Sequence, residues 1–409
     1  MNELEVHLDD DSLVPEPTKV GRLFRDSGRR GDLIRFEYDT DWLADGFEVE
    51  PLLPLRSGPF HADDPAELMG VFQDCSPDRW GRLLMDRREV MEAREASRPR
   101  RALRTWDYLT GVDDGTRMGG LRLFDPGTNQ YVSSHLPSAP PMTSLRELEA
   151  AARLVEQGAG EQLDPQIRQL LVPGGSLGGA RPKASFVDEH RELWLAKFPS
   201  TEDRHDVGLW EFVTWKMSAA AGIPMPEARL MSLSSRGHTF AVKRFDRIGG
   251  SRRMYASAKT LLNMESDGAS YLDLVTAVED HGASGSIAAG LEQLFRRAVF
   301  NVLVGNRDDH LRNHGFLREP TGWVLSPAFD VNPNPDKAVH VLTLDDADPT
   351  PDTQTLLVQH AFFRLDAERA AGIVEEIRSA VRPWARHAKA SAAKSQEVSL
   401  LGAVIDPER

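Results

Sequence analysis

The stretch FNVLVGNRDDHLRNHGF, residues 300–316, joins an apolar helix to the densest polar cluster of the chain. From Ser286 to Val304 the apolar residues recur at helical spacing on one face, which predicts a buried helix. Directly after it, from Asn306 to His314, nearly every side chain is charged, an amide or an imidazole. Placing such groups beside a core helix is costly unless they have partners or a function. We therefore expect the functional site in this loop.

The spacing within this loop matches the catalytic-loop pattern of protein kinases, R-D-x-x-x-x-N. Arg307 and Asp308 are followed by Asn313, five residues after the aspartate. In that arrangement the aspartate orients the attacking hydroxyl and accepts its proton, and the asparagine oxygen binds Mg²⁺. Farther along, the run 325–330 ends in Asp330, a carboxylate suited to the second metal-ligand role, although DVN stands where kinases have D-F-G.

Two other interpretations of the loop stay open on spacing alone. The first is a polar surface loop with a capping aspartate, because three fixed residues recur by chance. The second is a divalent-metal hydrolase, whose candidate ligands would be Asp308, Asp309, His310, His314 and Asp330. The hydrolase interpretation lacks an H-E-x-x-H spacing and would need no nucleotide-binding apparatus.

The chain does contain segments typical of a nucleotide-binding apparatus. Lys197 lies on a β-like run over 193–198, and Glu211 falls on a helix predicted to start near Asp206. A strand lysine steadied by a helix glutamate is the kinase arrangement. The Gly-rich stretch GGSLGG, residues 174–179, can bring backbone N–H groups close to phosphates. Each signal alone has an ordinary alternative: an exposed lysine, a solvated helix position or a flexible linker. Together they favour the kinase interpretation.

The composition limits the class of protein. The chain has 409 residues, with 49 basic and 63 acidic side chains and a formal net charge of −14. A field of that sign repels phosphate backbones, so we do not expect a generic nucleic-acid binder. The single cysteine, Cys75, excludes an internal disulfide and a multi-cysteine zinc site. Because the amino terminus is acidic and no long apolar run is present, we expect a cytoplasmic protein without membrane contact.

The order of the predicted elements indicates an α+β fold. A Ser/Pro-rich linker, residues 133–144, leads into a helix on which Ser144 and Glu147 have capping-box spacing. The other main elements are predicted strands over 20–24 and 33–38, a helix over 77–96, a hairpin over 186–198, a strand over 240–245 and helices over 206–221, 286–304 and 367–384. A β-rich part followed by a larger helical part predicts two lobes with a ligand-binding cleft.

Together these segments resemble the HipA family, bacterial serine/threonine kinases that act as the toxins of type II toxin–antitoxin pairs. The likeness lies in motifs that keep the family's order along nearly the whole chain: VGRLFRD (20–26), SPDRWGRLL (76–84), RMGGLRL (117–123), GGSLGGARPKASF (174–186), WLAKFP (194–199), AVKRFDR (241–247), FNVLVGNRDDHLRNHGF (300–316) and LSPAFDVNP (325–333). The resemblance implies a protein-kinase-like two-lobe fold. It divides the chain into an amino-terminal accessory subdomain (1–139), a kinase N-lobe with the Gly-rich loop and ATP lysine (140–248) and a helical C-lobe (249–409).

The resemblance also implies roles for individual residues. Asp308 would be the catalytic base, with Asn313 and Asp330 binding Mg²⁺. The residues implied to bind ATP are Lys197 at the phosphates, Val242, Lys243 and Phe245 in the hinge that cups adenine, and His310 and Asn313 near the nucleotide. Ser176, in the Gly-rich loop, would be the autophosphorylated serine. In the family, phosphorylation there expels the loop from the nucleotide site and silences the enzyme.

The implied function is a Mg²⁺- and ATP-dependent kinase that phosphorylates a serine on a protein. By family analogy that protein is an aminoacyl-tRNA synthetase, so that translation is inhibited and growth arrested. The implied partner is a HipB-like helix-turn-helix antitoxin, with DNA contacted mainly through it. The alternative is a catalytically dispensable antitoxin partner and co-repressor in a toxin–antitoxin DNA complex.

Two positions depart from the family pattern. Lys243 stands where some members have an acidic residue, and Asp309 stands where some have a smaller one. Neither change touches Asp308, Asn313 or Asp330, so we expect an active enzyme.

Overall fold

The chain forms two compact units. The computed structural model describes residues 2–28, 31–64, 67–135, 137–158, 170–171 and 179–409. The amino-terminal unit comprises the chain up to Glu202 together with 246–256, and the carboxy-terminal unit comprises 203–245 and 257–409. The division into segments 1–139, 140–248 and 249–409 stays a prediction.

The described residues contain the mixture of strands and helices that an α+β fold requires. The strands are β1 (Glu3–Leu8), β2 (Thr18–Gly28), β3 (Gly31–Tyr38), β4 (Phe60–His61), β5 (Leu121–Asp125), β6 (Gln130–Tyr131), β7 (Lys183–Val187), β8 (Leu193–Lys197), β9 (Ala228–Ser234), β10 (Gly237–Lys243), β11 (Arg247–Ile248), β12 (Ser251–Arg252), β13 (Tyr255–Ser257), β14 (Gly315–Glu319) and β15 (Gly322–Leu325). The helices are α1 (Thr40–Asp45), α2 (Gly70–Asp74), α3 (Arg79–Glu95), α4 (Thr105–Gly111), α5 (Leu145–Glu156), α6 (Val207–Ser218), α7 (Ala258–Leu262), α8 (Tyr271–His281), α9 (Ile287–Val304), α10 (Thr353–Val358), α11 (Ala367–Val381), α12 (Trp384–Ala390) and α13 (Ser395–Leu401).

The amino-terminal unit is built on an antiparallel sheet with the strand order β4-β3-β2-β1-β5-β6. It contains the β2–β3 hairpin, which confirms the predicted strands over 20–24 and 33–38. Along β1 the side chains of Leu4, Val6 and Leu8 are buried at alternate positions, as expected for a strand with one face on the core. A second hairpin, β7–β8, confirms the one predicted over 186–198.

The start of α5 differs from its prediction. A 3₁₀ turn over Met142–Ser144 runs directly into the helix, and Ser144 already has helical dihedrals, φ −86° and ψ −1°. Its side chain makes no capping hydrogen bond, so the predicted capping box with Glu147 is wrong. A capping side chain reaches back to the helix from an extended backbone, and Ser144 does not have one. The predicted apolar stripe is confirmed by burial of Leu145, Leu148, Ala152 and Val155.

The carboxy-terminal unit places α6 against the β9–β10 hairpin. Asp206 caps α6 by accepting a hydrogen bond from the Leu209 N–H at 3.1 Å. Gly208 lies so close to β10 that a Cβ there would come 2.2 Å from the His238 carbonyl oxygen. The site needs a glycine because no side chain fits this approach.

Helix α9 is the core of this unit and confirms the predicted apolar helix. Its residues from Leu294 to Val304 are all buried. The last predicted helix ends earlier than expected, at Val381 instead of Trp384, because Pro383 cannot continue the backbone hydrogen-bond ladder. Trp384 instead begins α12. Within the described ranges, no helix has both the length and the apolarity needed to cross a bilayer.

Candidate active site

The loop that follows α9 begins with a glycine turn. Gly305 has φ +72°, in the left-handed region, and its N–H bonds back to the helix to end it. A Cβ at this position would lie 2.8 Å from the Val404 carbonyl oxygen, so the turn is both conformationally and sterically restricted to glycine. The turn leaves two adjacent carboxylates in opposite environments. The side chain of Asp308 is 57% exposed, whereas Asp309 is buried.

The buried carboxylate is the centre of a polar cluster. Asp309 Oδ2 accepts hydrogen bonds from the Tyr271 hydroxyl at 2.5 Å, the Asn301 amide nitrogen at 3.0 Å and His314 Nε2 at 2.9 Å. The Asn306 amide extends the network to Asn301 Oδ1 at 3.1 Å. We call Asp309, Tyr271, Asn301 and His314 the histidine–aspartate cluster. Through Asp309 the cluster anchors the loop, one residue away from the exposed Asp308.

The environment of the cluster shifts its titrations. Burial raises the pKa of Asp309, but the charge and hydrogen bond of His314 and the Tyr271 hydroxyl outweigh it and hold that pKa below its usual range. Burial, together with the negative charge of Asp309, raises the pKa of Tyr271 well above its ordinary value. Burial also lowers the pKa of Arg297 to about 10. Asp309 is therefore ionised and Tyr271 is a hydrogen-bond donor at neutral pH.

The segment 334–342, which we call the strap, is bonded to this loop on both sides of Asp308. Backbone hydrogen bonds join Asn334 N to Gly305 O at 2.8 Å, Val341 N to Arg307 O at 3.2 Å and Leu342 N to Asp309 O at 3.3 Å. The Arg307 guanidinium donates to the Lys337 carbonyl at 2.5 Å. Lys337 Nζ in turn contacts Asp308 Oδ1. The predicted base therefore has a cation beside it.

A small cavity has one of the predicted metal residues, Asn313, in its lining. It is lined by Ile223, Arg297, Phe300, Asn301, Asp309, Asn313, His314, Ala328, Phe329 and Val331. Asn313 thus shares a cavity with both chain neighbours of Asp330. Asp330 itself is exposed and has φ +58°, a strained conformation for a residue other than glycine. Strain of this kind concentrates at functional sites.

The residues at this point suit a magnesium ion. Mg²⁺ prefers oxygen ligands and is held by one or two carboxylates together with waters and substrate phosphates. Asn313 and Asp330 supply an amide and a carboxylate oxygen, and the amide oxygen of Asn332 is buried without a hydrogen-bond partner among the described residues. The same residues contain no group of three or more His, Cys, Asp or Glu side chains arranged to hold a metal.

The predicted adenine hinge lies at the end of β10 in the same unit. Val242 and Lys243 are its last residues, and both are half-buried. Phe245 follows the strand and stacks on Phe329, with ring centroids 5.4 Å apart and an interplanar angle of 28°. This contact brings one predicted nucleotide-binding residue beside the chain neighbour of Asp330. His310 lies in the loop and is half-buried, and its carbonyl accepts from the Asn313 N–H at 2.8 Å.

Lys197 belongs to the amino-terminal unit, at the end of β8 and in register with Lys183 on β7. Its predicted helix partner Glu211 is buried on α6, in the carboxy-terminal unit. Ser176 lies outside the described residues, as does most of the Gly-rich stretch. Gly179, the last residue of that stretch, is described, and its N–H donates to Asp78 Oδ2 at 2.7 Å.

Several residues of this site escaped the sequence analysis. Asn301 and Arg297 left a signal, because an amide and a guanidinium stand among the apolar residues of the second half of the helix. Tyr271 and Lys337 left none, because both lie far from the loop in sequence. Tyr271 contacts Asp309 from 38 positions away, and Lys337 contacts Asp308 from 29 positions away.

Comparisons with known proteins show which family the chain is similar to. A family model of the HipA-like C-terminal domain matches residues 175–385, and a model of the HipA N-terminal domain matches residues 12–103. The serine/threonine-protein kinase toxin HipA of Shewanella oneidensis is 22% identical over 365 residues, covering 80% of this chain and 74% of that protein.

A solved structure shares the fold. It is the complex of Shewanella oneidensis HipA with HipB and operator DNA, in which the matched chain has a TM-score of 0.64 and 16% sequence identity. The match covers 98% of this chain and 95% of that one. The predicted kinase-like fold is thereby confirmed, and the chain belongs to the HipA family.

Proposed function

We propose that this chain is a Mg²⁺- and ATP-dependent serine/threonine protein kinase that acts as the toxin of a toxin–antitoxin pair. The observation that carries the proposal is that two adjacent aspartates of the loop differ in exposure and in hydrogen bonding. Asp308 is exposed to an incoming substrate, and its neighbour Asp309 is anchored by three hydrogen bonds. Asn313 meanwhile shares a cavity with the neighbours of Asp330. A surface loop without catalytic function would not need this preorganisation.

The proposed reaction places each residue in a defined role. Asp308 orients the seryl hydroxyl of the substrate and accepts its proton. The seryl oxygen forms a new bond to the γ-phosphorus while the bond from that phosphorus to the bridging oxygen breaks, and ADP leaves. Asn313 and Asp330 would hold Mg²⁺, which supplies neutralisation of phosphate charge when bound. Lys197 would contact the phosphates, with Val242, Lys243, Phe245 and His310 around the rest of the nucleotide.

The proposed biological setting follows the family resemblance. We propose an aminoacyl-tRNA synthetase as the phosphorylated protein, with arrest of translation and growth as the result. Ser176 would be phosphorylated by the chain itself, and the added negative charge beside a phosphate-binding site would oppose nucleotide binding. A HipB-like antitoxin is the proposed partner, supported by the similar structure that contains HipB and operator DNA.

The test measures transfer and toxicity together. The purified chain is incubated with Mg²⁺, radiolabelled ATP and a panel of bacterial aminoacyl-tRNA synthetases, and growth is followed after induced expression. Asp308→Asn should lower transfer by about 10²–10⁴-fold and abolish growth arrest, because the hydroxyl loses its base. Asp280→Asn, a change at an exposed aspartate of α8, is the matched control and should behave as the wild type. Full activity of Asp308→Asn would remove Asp308 from the mechanism.

A second candidate function is that of a co-repressor that does not depend on catalysis. It is favoured by the operator DNA in the similar complex. Under this alternative, the wild type shows no transfer, and both the wild type and Asp308→Asn tighten operator binding by the antitoxin equally. Transfer by the wild type that Asp308→Asn loses would favour the kinase.

A further inference from the structure

The predicted base is engaged by a lysine from a different part of the chain. Lys337 Nζ contacts Asp308 Oδ1, and the two side chains are 40% and 57% exposed. Ion pairs with that exposure contribute little to folding. Stability is therefore a poor explanation for the pair. Its position on the reacting carboxylate suggests a role in the reaction.

Both ends of this ion pair are held by the backbone. Asp308 lies between Arg307 and Asp309, whose carbonyls each accept a hydrogen bond from the strap. The Arg307 side chain, which is buried, reaches across to the carbonyl of Lys337 itself. Lys337 therefore projects from a fixed backbone. Only the side-chain torsions of Lys337 therefore have to be ordered for the contact to form.

The acidic residue next to Lys337 in sequence is paired with a different cation. Its neighbour Asp336 is paired with Arg204 at 3.3 Å, so that carboxylate is already occupied. Asp308 is the carboxylate that Lys337 contacts. The strap thus places the ammonium group of Lys337 on the carboxylate of Asp308.

We propose that Lys337 is a positioning residue for phosphoryl transfer, acting through Asp308. This inference rests on the proposed kinase function. With the ammonium on Oδ1, the carboxylate is held in one rotamer and Oδ2 is left to receive the hydroxyl of the substrate. The seryl proton passes to Asp308 as the new P–O bond forms and ADP leaves, and Lys337 keeps its own proton throughout. Precise orientation of a reacting group is worth large rate factors, and a small misplacement costs about 100-fold.

The experiment compares steady-state phosphoryl transfer of Lys337→Met, Lys337→Gln and Lys337→Arg with the wild type. The matched control is Lys389→Met, a change at an exposed lysine of α12. We expect both neutral variants to lower kcat by between about tenfold and 100-fold with little change in the KM for ATP. Lys337→Arg should restore most of kcat, because it returns a cation to the carboxylate. The control should match the wild type.

Coupling to Asp308 is tested in the double variant. If Lys337 acts through Asp308, Lys337→Met should have no further effect in the Asp308→Asn background. The inference is overturned if the neutral variants keep wild-type kcat while the wild type is active, if only the KM for ATP changes, or if the two changes add fully. Absence of transfer by the wild type would overturn the proposed function, and this inference with it. The use of two neutral variants guards against one that does not fold, and a circular dichroism melt identifies it.

Discussion

The two units each bury a charged cluster, and the clusters are built differently. In the amino-terminal unit, Asp114 accepts from Arg122 at 2.5 Å, and Arg122 also donates to Asp9 at 3.0 Å. Arg252 donates to the Asp114 carbonyl at 2.5 Å and lies 3.6 Å from Asp9. This arginine–aspartate cluster pairs each cation with more than one acceptor. In the histidine–aspartate cluster, one carboxylate instead gathers a hydroxyl, an amide and an imidazole.

The difference is that the cations of the arginine–aspartate cluster have alternative partners, whereas the histidine–aspartate cluster depends on one carboxylate. Arginine and aspartate keep their charges between pH 5 and 8, and a second partner remains when one is lost. The histidine–aspartate cluster has a single central acceptor, and burial lowers the pKa of the nearby His340 to about 4. It also adjoins Asp308 directly in sequence. The first cluster should therefore tolerate damage and acid better than the second.

The largest effect is expected from Asp309→Ala. The substitution leaves three buried donors without their common acceptor, so the free energy of unfolding should fall by about 3–5 kcal/mol. Urea denaturation of the full chain measures this loss. Asp309→Asn keeps one acceptor oxygen and should lose less. An Asp309→Ala variant within 1 kcal/mol of the wild type (about one ordinary hydrogen bond) would show that the cluster does not anchor the loop.

Asp114→Ala should cost less, about 2 kcal/mol, although Asp114 is also buried. Asp9 remains as a second partner for both Arg122 and Arg252, which limits the penalty. The same denaturation experiment measures it, and phosphoryl transfer per folded molecule should stay at the wild-type level. A loss as large as that of Asp309→Ala would contradict the redundancy assigned to this cluster.

Acid should weaken folding through His340, a buried residue of the strap. Burial lowers its pKa to about 4. The unfolded chain takes up a proton near pH 6.5 and the folded chain does not, so stability falls as the pH drops from about 6.5 to 4. Between pH 7 and pH 5 the wild type should lose about 2 kcal/mol more than His340→Gln, which has no titrating ring. Denaturation of both proteins at the two pH values checks this. If the wild type and His340→Gln lost the same free energy of unfolding, His340 would take up its proton in the folded state as well.

The smallest effect is expected from Tyr271→Phe. The change removes the hydroxyl that donates to Asp309 and accepts from Asn301 at 2.9 Å, but leaves two donors on the carboxylate. A loss of about 1–2 kcal/mol in unfolding free energy should follow. An unchanged midpoint of urea denaturation would mean that the remaining donors satisfy Asp309 fully.

The sequence predicted what is local and missed what is distant. Helix α9 and the loop after it were predictable, because apolar residues at helical spacing stop abruptly at a glycine and a polar run. Ser144 shows the limit of local signals, because a 3₁₀ turn displaced the predicted cap. Pro383, in contrast, is a local stop signal, and the predicted helix extended past it. The contacts of Tyr271 and Lys337 depend on tertiary packing, which no spacing rule encodes.

The roles of the site residues divide in the same way. Asp308, Asn313 and Asp330 could be selected because their spacing follows a known catalytic pattern. That Asp308 is exposed and Asp309 buried could not be deduced, since adjacent aspartates look alike in a sequence. Lys197 was selected from the pattern of a strand lysine and a helix glutamate, and the hinge residues follow from the family resemblance. The roles of all of them stay predictions.

Mass spectrometry of the intact protein and its peptides, after incubation with ATP and Mg²⁺, tests the central claim most directly. The wild type is compared with Asp308→Asn, and nucleotide binding is measured for both. The account predicts one added phosphate on Ser176 of the wild type and none on the variant. It would be contradicted if both proteins bound ATP and neither gained phosphate, or if Asp308→Asn gained as much as the wild type.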